Sequence, residues 1–175
     1  MPGKVAIIAN PMSGRDVRRL AARATAVTHE AKAAQVARIA TGLDAMGVDE
    51  IMVMQEPARI STGALQWMPL RARVRALQTG PVTNSAVDTA AAVRAARDEG
   101  CDVIVALGGD GTHRVIAQTW PDAVLIPLST GTNNVFPVAV EATSAGVAAG
   151  LVASGAIEAS QVGARCKLVH VRASD

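Results

Sequence analysis

Aromatic side chains are nearly absent from this chain of 175 residues, which contains two Trp, one Phe and no Tyr. The core of a β-sandwich and a surface that stacks nucleic-acid bases both depend on aromatic rings, so the composition disfavours both. Half of the residues are apolar, and alanine, valine, leucine and isoleucine must therefore fill the core. Such small side chains suit helices that pack closely on a β-sheet.

Cysteine, unbalanced charge and long apolar runs are also lacking. The two cysteines, Cys101 and Cys166, are far apart and have no metal-site spacing, which indicates reduced thiols in a cytosolic protein. The net charge is +2 with both signs interspersed, so no nucleic-acid partner is predicted. No apolar run is long enough for a signal peptide or a membrane span. We therefore expect a soluble, cytoplasmic protein with no membrane partner.

Short β-branched runs alternate with helical segments along the chain. Strands are predicted at residues 5–9, 51–54, 74–77, 103–107 and 124–126, and their continuous hydrophobicity indicates strands covered on both faces. Apolar stripes predict helices around residues 17–24, 36–43, 86–96, 113–120 and 144–153, whereas residues 55–72 are hard to assign. Thr28 is a plausible N-cap for the second helix, and Asn84 or Ser85 for the third. The alternation predicts an α/β fold, a doubly wound, mostly parallel sheet with helices on both faces.

Residues 1–160 are predicted to form this α/β nucleotide-binding domain. Residues 161–175 then form either the first strand of a truncated second domain or a C-terminal tail, with a strand expected at residues 167–171. A strand without a neighbour exposes unpaired backbone groups that can pair with another chain. We therefore expect a homodimer that covers this edge.

Glycines dominate residues 108–112, between the most apolar strand and a helix. Gly108, Gly109 and Gly111 leave no Cβ to block a phosphate, and the free N–H groups of a helix start would point at it. A bare Asp110 would repel a triphosphate unless Mg²⁺ bridges the two, or unless Asp110 takes a proton from an acceptor hydroxyl. Both arrangements belong to phosphoryl transfer. The alternative is a tight turn with Asp110 as a helix N-cap.

Two further loops follow predicted strands and should reach the same edge of the sheet. In residues 129–134, Asn133 and Asn134 could hold a ribose or a base, or could simply cap a helix. Residues 10–14, with Asn10 and Ser13, read as a turn that could also border a ligand. His113, which follows the glycines, could donate to a phosphate, but a solvent-facing position on the helix is the preferred interpretation.

The three patterns Asn-Pro-x-Ser-Gly, Gly-Gly-Asp-Gly-Thr and Thr-Gly-Thr-Asn-Asn together resemble the superfamily of NAD kinases, diacylglycerol kinases and sphingosine kinases. The resemblance is strongest to the ATP-NAD kinase-like proteins of the acetoin-catabolism X type, and it covers residues 8–171. It implies that ATP phosphates lie at the glycine-rich segment, that Asp110 is the essential carboxylate, and that the other loops border the nucleotide. The candidate nucleotide-binding residues are Asn10, Ser13, Gly108, Gly109, Gly111, Thr112, Gly131, Thr132, Asn133 and Asn134.

The resemblance further implies a β-rich second domain, with the active site in the crevice between the two domains. The expected activity is transfer of a phosphoryl group from ATP, with Mg²⁺, to a hydroxyl of a small molecule or a dinucleotide. The Val-Phe-Pro that follows Asn134 is closer to the lipid-kinase pattern than to that of NAD kinases. Alternatives are a lipid kinase, which should expose an apolar patch that the sequence does not show, and a nucleotide-sensing module without turnover.

Overall fold

The computed structural model describes residues 3–14, 27–130 and 134–171. Its centre is one five-stranded sheet in which every neighbouring pair of strands is parallel. The strand order is β3-β2-β1-β4-β5, with β1 at Lys4–Ala9, β2 at Glu50–Val53, β3 at Arg73–Ala76, β4 at Val103–Gly108 and β5 at Leu125–Ser129. The predicted α/β class and the parallel sheet are confirmed.

Six helices lie within the described ranges: α1 at His29–Ala45, α2 at Ile60–Leu65, α3 at Ala86–Asp98, α4 at Asp110–Thr119, α5 at Ala142–Ala153 and α6 at Ala159–Val162. Two of them begin at predicted caps. Thr28 Oγ1 accepts a hydrogen bond of 3.1 Å from the N–H of Ala31, and Ser85 caps α3 in a reciprocal capping box with Asp88. The helix α2 lies in the segment that the sequence pattern leaves unassigned.

The helices cover both faces of the sheet. Along β1, Val5 and Ile7 point to a core that contains buried side chains of α1, α2 and α5. Ala6 and Ile8 point to the opposite face and pack with buried side chains of α3 and α4. Because successive strand residues alternate between the faces, a strand buried on both sides must be apolar throughout. The predicted double winding is confirmed.

Close packing of α1 on α5 depends on glycine. A Cβ added at Gly146 would collide with the backbone oxygen of Ile39, and one at Gly42 would collide with the backbone oxygen of Thr143. The two helix backbones therefore touch, which explains why α5 consists almost entirely of small residues.

No strand is formed at residues 167–171 in the described chain, and whether residues 161–175 are the first strand of a second domain or a C-terminal tail stays a prediction. Residues 163–171 have no regular secondary structure and are exposed throughout. A strand is held by hydrogen bonds to a neighbouring strand, and none of the five described strands pairs with this segment. The domain boundary at residue 160 stays a prediction, and the helix predicted around residues 17–24 lies outside the described residues.

Candidate functional site

The three predicted loops meet at the carboxyl edge of the sheet. The first loop (residues 10–14) follows β1, and the second loop (residues 108–112) ends β4 and begins α4. The third loop (residues 129–134, described at 129, 130 and 134) begins at the last residue of β5. These three strands are neighbours, and the helices α1 and α4 lie on opposite faces. In an open parallel sheet the crevice at such a change of face is where ligands bind.

Asn10 joins the first loop to the second. Its backbone N–H donates to the carbonyl of Leu107 at 3.0 Å, and its side-chain Nδ2 donates to Thr112 Oγ1 at 2.8 Å. Its Oδ1 accepts a hydrogen bond of 2.9 Å from the N–H of Met12. The amide side chain is therefore held in one orientation, across the gap between the two loops.

Ser13 and Thr130 join the third loop to the other two. Ser13 Oγ donates to the carbonyl of Asn10 at 2.9 Å and lies 2.7 Å from Thr130 Oγ1. Since the hydroxyl hydrogen of Ser13 is already used, Thr130 is the donor in that second contact. The N–H of Thr130 also donates to the carbonyl of Gly108 at 3.2 Å.

The second loop leaves room for an anion. Gly109, rather than Asp110, is the N-cap of α4, and its carbonyl accepts from the N–H groups of Thr112 at 3.0 Å and His113 at 3.2 Å. The N–H groups of Asp110 and Gly111 belong to the first helical turn, where backbone donors have no acceptor in a preceding turn. A Cβ built on Gly111 would meet nothing within 4 Å, whereas one on Gly108 would lie 2.5 Å from Thr112 Cβ.

Asp110 holds the segment that follows the third loop. Its carboxylate accepts hydrogen bonds from the N–H of Phe136 at 2.9 Å and from the N–H of Val135 at 3.0 and 3.1 Å. These hydrogen bonds, with that from Phe136 the largest, lower the pKa of Asp110 below its usual value of 3.8. The carboxylate is therefore ionised at neutral pH.

Asn134 also packs against the second loop. Its Nδ2 donates to Ser129 Oγ at 2.8 Å, and its Oδ1 would lie 3.0 Å from a Cβ on Gly109. The structure thus brings together Asn10, Ser13, Asp110, Thr112 and Asn134 with the glycines of the second loop. Gly131, Thr132 and Asn133 lie outside the described residues.

His113 is buried, so its predicted solvent-facing position is wrong. Only 2% of the residue is exposed, and its Nδ1 lies 2.8 Å from the carbonyl oxygen of Gly109. Its ring packs against the ring of Phe136 at a centroid distance of 5.8 Å. Burial lowers the pKa of His113. Its position three residues before buried Ile116 puts both on the same helix face, which is the signal that the sequence interpretation missed.

Lys32 is a second residue that sequence reasoning missed. It is fully buried in the first turn of α1, and its Nζ donates to the carbonyls of Asn10 and Pro11, each at 2.8 Å. Lys32 lies four residues before buried Val36, so it continues the inner stripe of the helix. A charged residue in line with an apolar stripe was the available signal.

A cavity of about 150 Å³ opens beside the loops. Its walls come from the first loop, from the start of α3 and from the first turns of α4. The lining is mixed, with the apolar side chains of Met54 and Val115 and the polar groups of Asn84, Ser85, Thr89 and Thr112. The cavity therefore offers both apolar surface and hydrogen-bonding groups.

An exposed apolar patch lies next to Asp110, contrary to the expectation from the sequence. It consists of Val135, Phe136, Val138 and Val140. The backbone of this segment runs beside β5, where the N–H of Ser129 donates to the carbonyl of Val138 at 2.8 Å. The side chains of Val135, Val138 and Val140 are exposed, and the ring of Phe136 is partly exposed where it packs against His113.

In the described ranges, no three acidic, His or Cys side chains come together as a metal site, and no helix is long and apolar enough to cross a membrane.

Comparison with known proteins gives a match to the model of the ATP-NAD kinase N-terminal domain over residues 5–157. The chain belongs to this family. The match covers most of the sequence and includes all three loops.

The chain is also similar to Acetoin catabolism protein X from Cupriavidus necator, at 34% identity over 176 residues. The alignment covers 95% of this chain and 48% of that protein, so the chain spans about half the length of the curated relative. No solved structure matches the chain significantly. The resemblance inferred from the three loop patterns is confirmed.

Proposed function

We propose that this chain is the nucleotide-binding half of an ATP-dependent kinase-like protein that transfers a phosphoryl group to a hydroxyl acceptor. The observation that carries the proposal is the open space beside Gly111, at the first turn of α4. There, backbone donors without helical acceptors, together with the helix dipole, favour a phosphate group. Membership in the ATP-NAD kinase N-terminal domain family supports ATP as the donor.

Asp110 and Mg²⁺ complete the phosphate site in this proposal. Mg²⁺ is usually held by one or two carboxylates together with phosphate oxygens and water, so a single ionised carboxylate at this edge fits it. When bound, the metal neutralises charge on the transferred phosphate. A general base works best when its pKa is near the working pH, whereas the pKa of Asp110 is lowered. The metal role of Asp110 is therefore favoured over the role of base.

The acceptor is a small soluble molecule or a dinucleotide, and the neighbouring cavity offers space for part of a nucleoside. The name of the relative leads us to propose a role in acetoin catabolism, in the cytoplasm. A lipid acceptor is the second candidate, because the exposed apolar patch at Val135 and Phe136 lies directly beside Asp110. A nucleotide sensor without turnover would use the same loops.

The test is a calorimetric titration of ATP, with and without Mg²⁺, into this chain and into Asp110→Asn. With Mg²⁺ we expect saturable binding that weakens about tenfold or more in the variant, because a charged ligand is lost. Without Mg²⁺ the variant should bind ATP more tightly than the unsubstituted chain, because the repulsion between carboxylate and phosphate is removed.

Each other outcome has a defined meaning. ATP binding that depends neither on Mg²⁺ nor on Asp110 would contradict the proposed metal role of Asp110. Failure of both proteins to bind ATP would contradict the phosphate site as proposed, and saturable binding of NAD alone would favour the sensor. A lipid acceptor would be supported by phosphorylation of diacylglycerol in mixed micelles by the full-length protein.

A further inference from the structure

Lys32 supports the first loop from the side opposite to the cavity. Its Nζ donates to two consecutive carbonyls, those of Asn10 and Pro11, at 2.8 Å each. No part of the residue is exposed. The ammonium group therefore fixes the direction of both peptide groups at the end of β1.

This position is unfavourable for a lysine. A cation in the first turn of a helix opposes the helix dipole. An apolar residue would continue the stripe of Val36 and Ile39 without this cost. The hydrogen bonds of Lys32 Nζ to the carbonyls of Asn10 and Pro11 connect α1 directly to the first loop.

Because the first loop is fixed, the direction of the hydrogen bond between the side chains of Asn10 and Thr112 is fixed as well. The backbone of Asn10 is held through its N–H and its carbonyl, and its Oδ1 accepts from Met12. Its Nδ2 must then point to Thr112, whose Oγ1 accepts the hydrogen bond at 2.8 Å. The hydroxyl hydrogen of Thr112 is left to donate, and among the described residues none accepts it. Thr112 lines the cavity beside Gly111.

We propose that Lys32 is a positioning residue of the phosphate site. By fixing Asn10, it orients the hydroxyl of Thr112 as a hydrogen-bond donor to an anionic oxygen of the nucleotide. The inference rests on the proposed function and adds to it a residue outside the three loops. It predicts that the buried ammonium group of Lys32 affects the binding of the phosphate groups of the nucleotide more than the binding of its nucleoside.

The experiment compares Lys32→Met and Lys32→Gln with the unsubstituted chain. Glutamine keeps a donor but loses the charge, so it also serves if the methionine variant does not fold. Mg-ATP is titrated calorimetrically, and adenosine binding is followed by ligand-observed NMR. We expect the affinity for Mg-ATP to fall about tenfold or more in Lys32→Met, with adenosine binding changed less than about twofold.

Two further variants make the test specific. Asn10→Asp has nearly the same shape but cannot donate to Thr112, so it should show the same selective loss of ATP affinity. Arg38→Met removes a positive charge from an exposed position on the same helix and should leave ATP affinity unchanged. The side-chain amide signals of Asn10 in ¹H–¹⁵N spectra should move in Lys32→Met and stay unchanged in Arg38→Met.

Unchanged ATP affinity in Lys32→Met, or in Lys32→Gln if only that variant folds, would overturn the inference. So would an equal loss of ATP and adenosine affinity, because a general distortion of the site would affect both ligands. If the unsubstituted chain binds no ATP, the proposed function itself fails, and the inference fails with it.

Discussion

Gly108 and Gly111 lie in the same loop but have different surroundings. A Cβ on Gly111 would point into open space, whereas one on Gly108 would lie 2.5 Å from Thr112 Cβ. We expect Gly111→Ala to fold with a free energy of unfolding that is unchanged or up to about 1 kcal/mol higher, since alanine is the better helix residue. Its affinity for Mg-ATP should fall about tenfold or more, because the methyl group fills the proposed phosphate space.

Gly108→Ala is the matched structural control for this pair, and we expect it to destabilise the fold by about 1–3 kcal/mol through overpacking. Urea denaturation measures the stability of both variants, and calorimetric titration measures ATP binding. ATP binding by Gly111→Ala that equals that of the unsubstituted chain would place the phosphates elsewhere.

Asp88 should make the start of α3 sensitive to acid. Burial raises its pKa, but hydrogen bonds from Thr83, Asn84 and Ser85 outweigh burial and lower the pKa below 3.8. A lowered pKa in the folded state stabilises the protein above pH 3.8, and this contribution is lost as the pH falls through the lowered value. We expect Asp88→Asn to reduce the free energy of unfolding by about 1–2 kcal/mol at pH 7 and by less below pH 3.8.

The control for Asp88 is Asp98→Asn, at an exposed position of the same helix that pairs with Arg97. Its effect on the free energy of unfolding should stay below about 0.5 kcal/mol. Urea denaturation at several pH values measures both variants. An Asp88→Asn deficit that is the same at pH 7 and at pH 3 would contradict the assignment.

Residues that carry a recognisable pattern could be predicted from the sequence, and residues that act from behind the loops could not. Asn10, Ser13, Asp110 and Thr112 lie in short polar segments after apolar strands, and the structure brings them together. Lys32 was missed because its role depends on carbonyl groups 21 and 22 residues away along the chain. Such a contact depends on how α1 lies on the sheet, which local spacing does not reveal.

At the scale of elements, contact between α1 and α5 makes two glycines sensitive to substitution. Both Gly146→Ala and Gly42→Ala would place a methyl group against the backbone of the facing helix. We expect each to lower the free energy of unfolding by about 1–3 kcal/mol or more, because backbones cannot move aside as side chains can. Gly63→Ala, in α2, has nothing within 4 Å and should be neutral or stabilising by up to about 1 kcal/mol.

Urea denaturation with comparison of the midpoints measures all three glycine variants. A stable Gly146→Ala with an unchanged slope would contradict the described helix contact. A destabilised Gly63→Ala would contradict the open space that the structure shows around Gly63.

Elements with strong local signals were predicted well, and weakly marked ones were not. All five strands, and the helices capped by Thr28 and Ser85, occur where the sequence indicated. The helix α2 was missed because it is only six residues long and its N-cap, Arg59, makes no capping hydrogen bond with its side chain. Residues 167–171 have the composition of a strand, but a strand also needs a neighbour.

At the scale of the whole molecule, the two edges of the sheet are protected differently. Arg73 and Arg75 place charge along β3, which discourages pairing with another sheet. The backbone around Val138 covers part of the outer edge of β5. Because residues 163–171 form no strand, we expect the homodimer to bury the apolar patch beside Asp110 instead of a terminal strand.

We expect light scattering coupled to size-exclusion chromatography to show a dimer fraction that rises with protein concentration. Phe136→Ser should lower that fraction, because it removes apolar area from the patch. Val162→Ser, at an exposed apolar position on α6, is the control and should leave the fraction unchanged. A single monomer mass at every concentration would contradict the prediction.

The order of the strands also determines when the site can form during folding. The central pair joins β1 to β4, with Val5 opposite Val103, so the first and second loops meet only after more than half of the chain has been made. Pairing between such distant segments closes a long loop before its contacts form, and it is intrinsically slow. A nascent chain that stops before β4 exposes one edge of β1 and offers it to chaperones or to other chains. The phosphate site therefore cannot assemble on the ribosome until β4 and the second loop have been made.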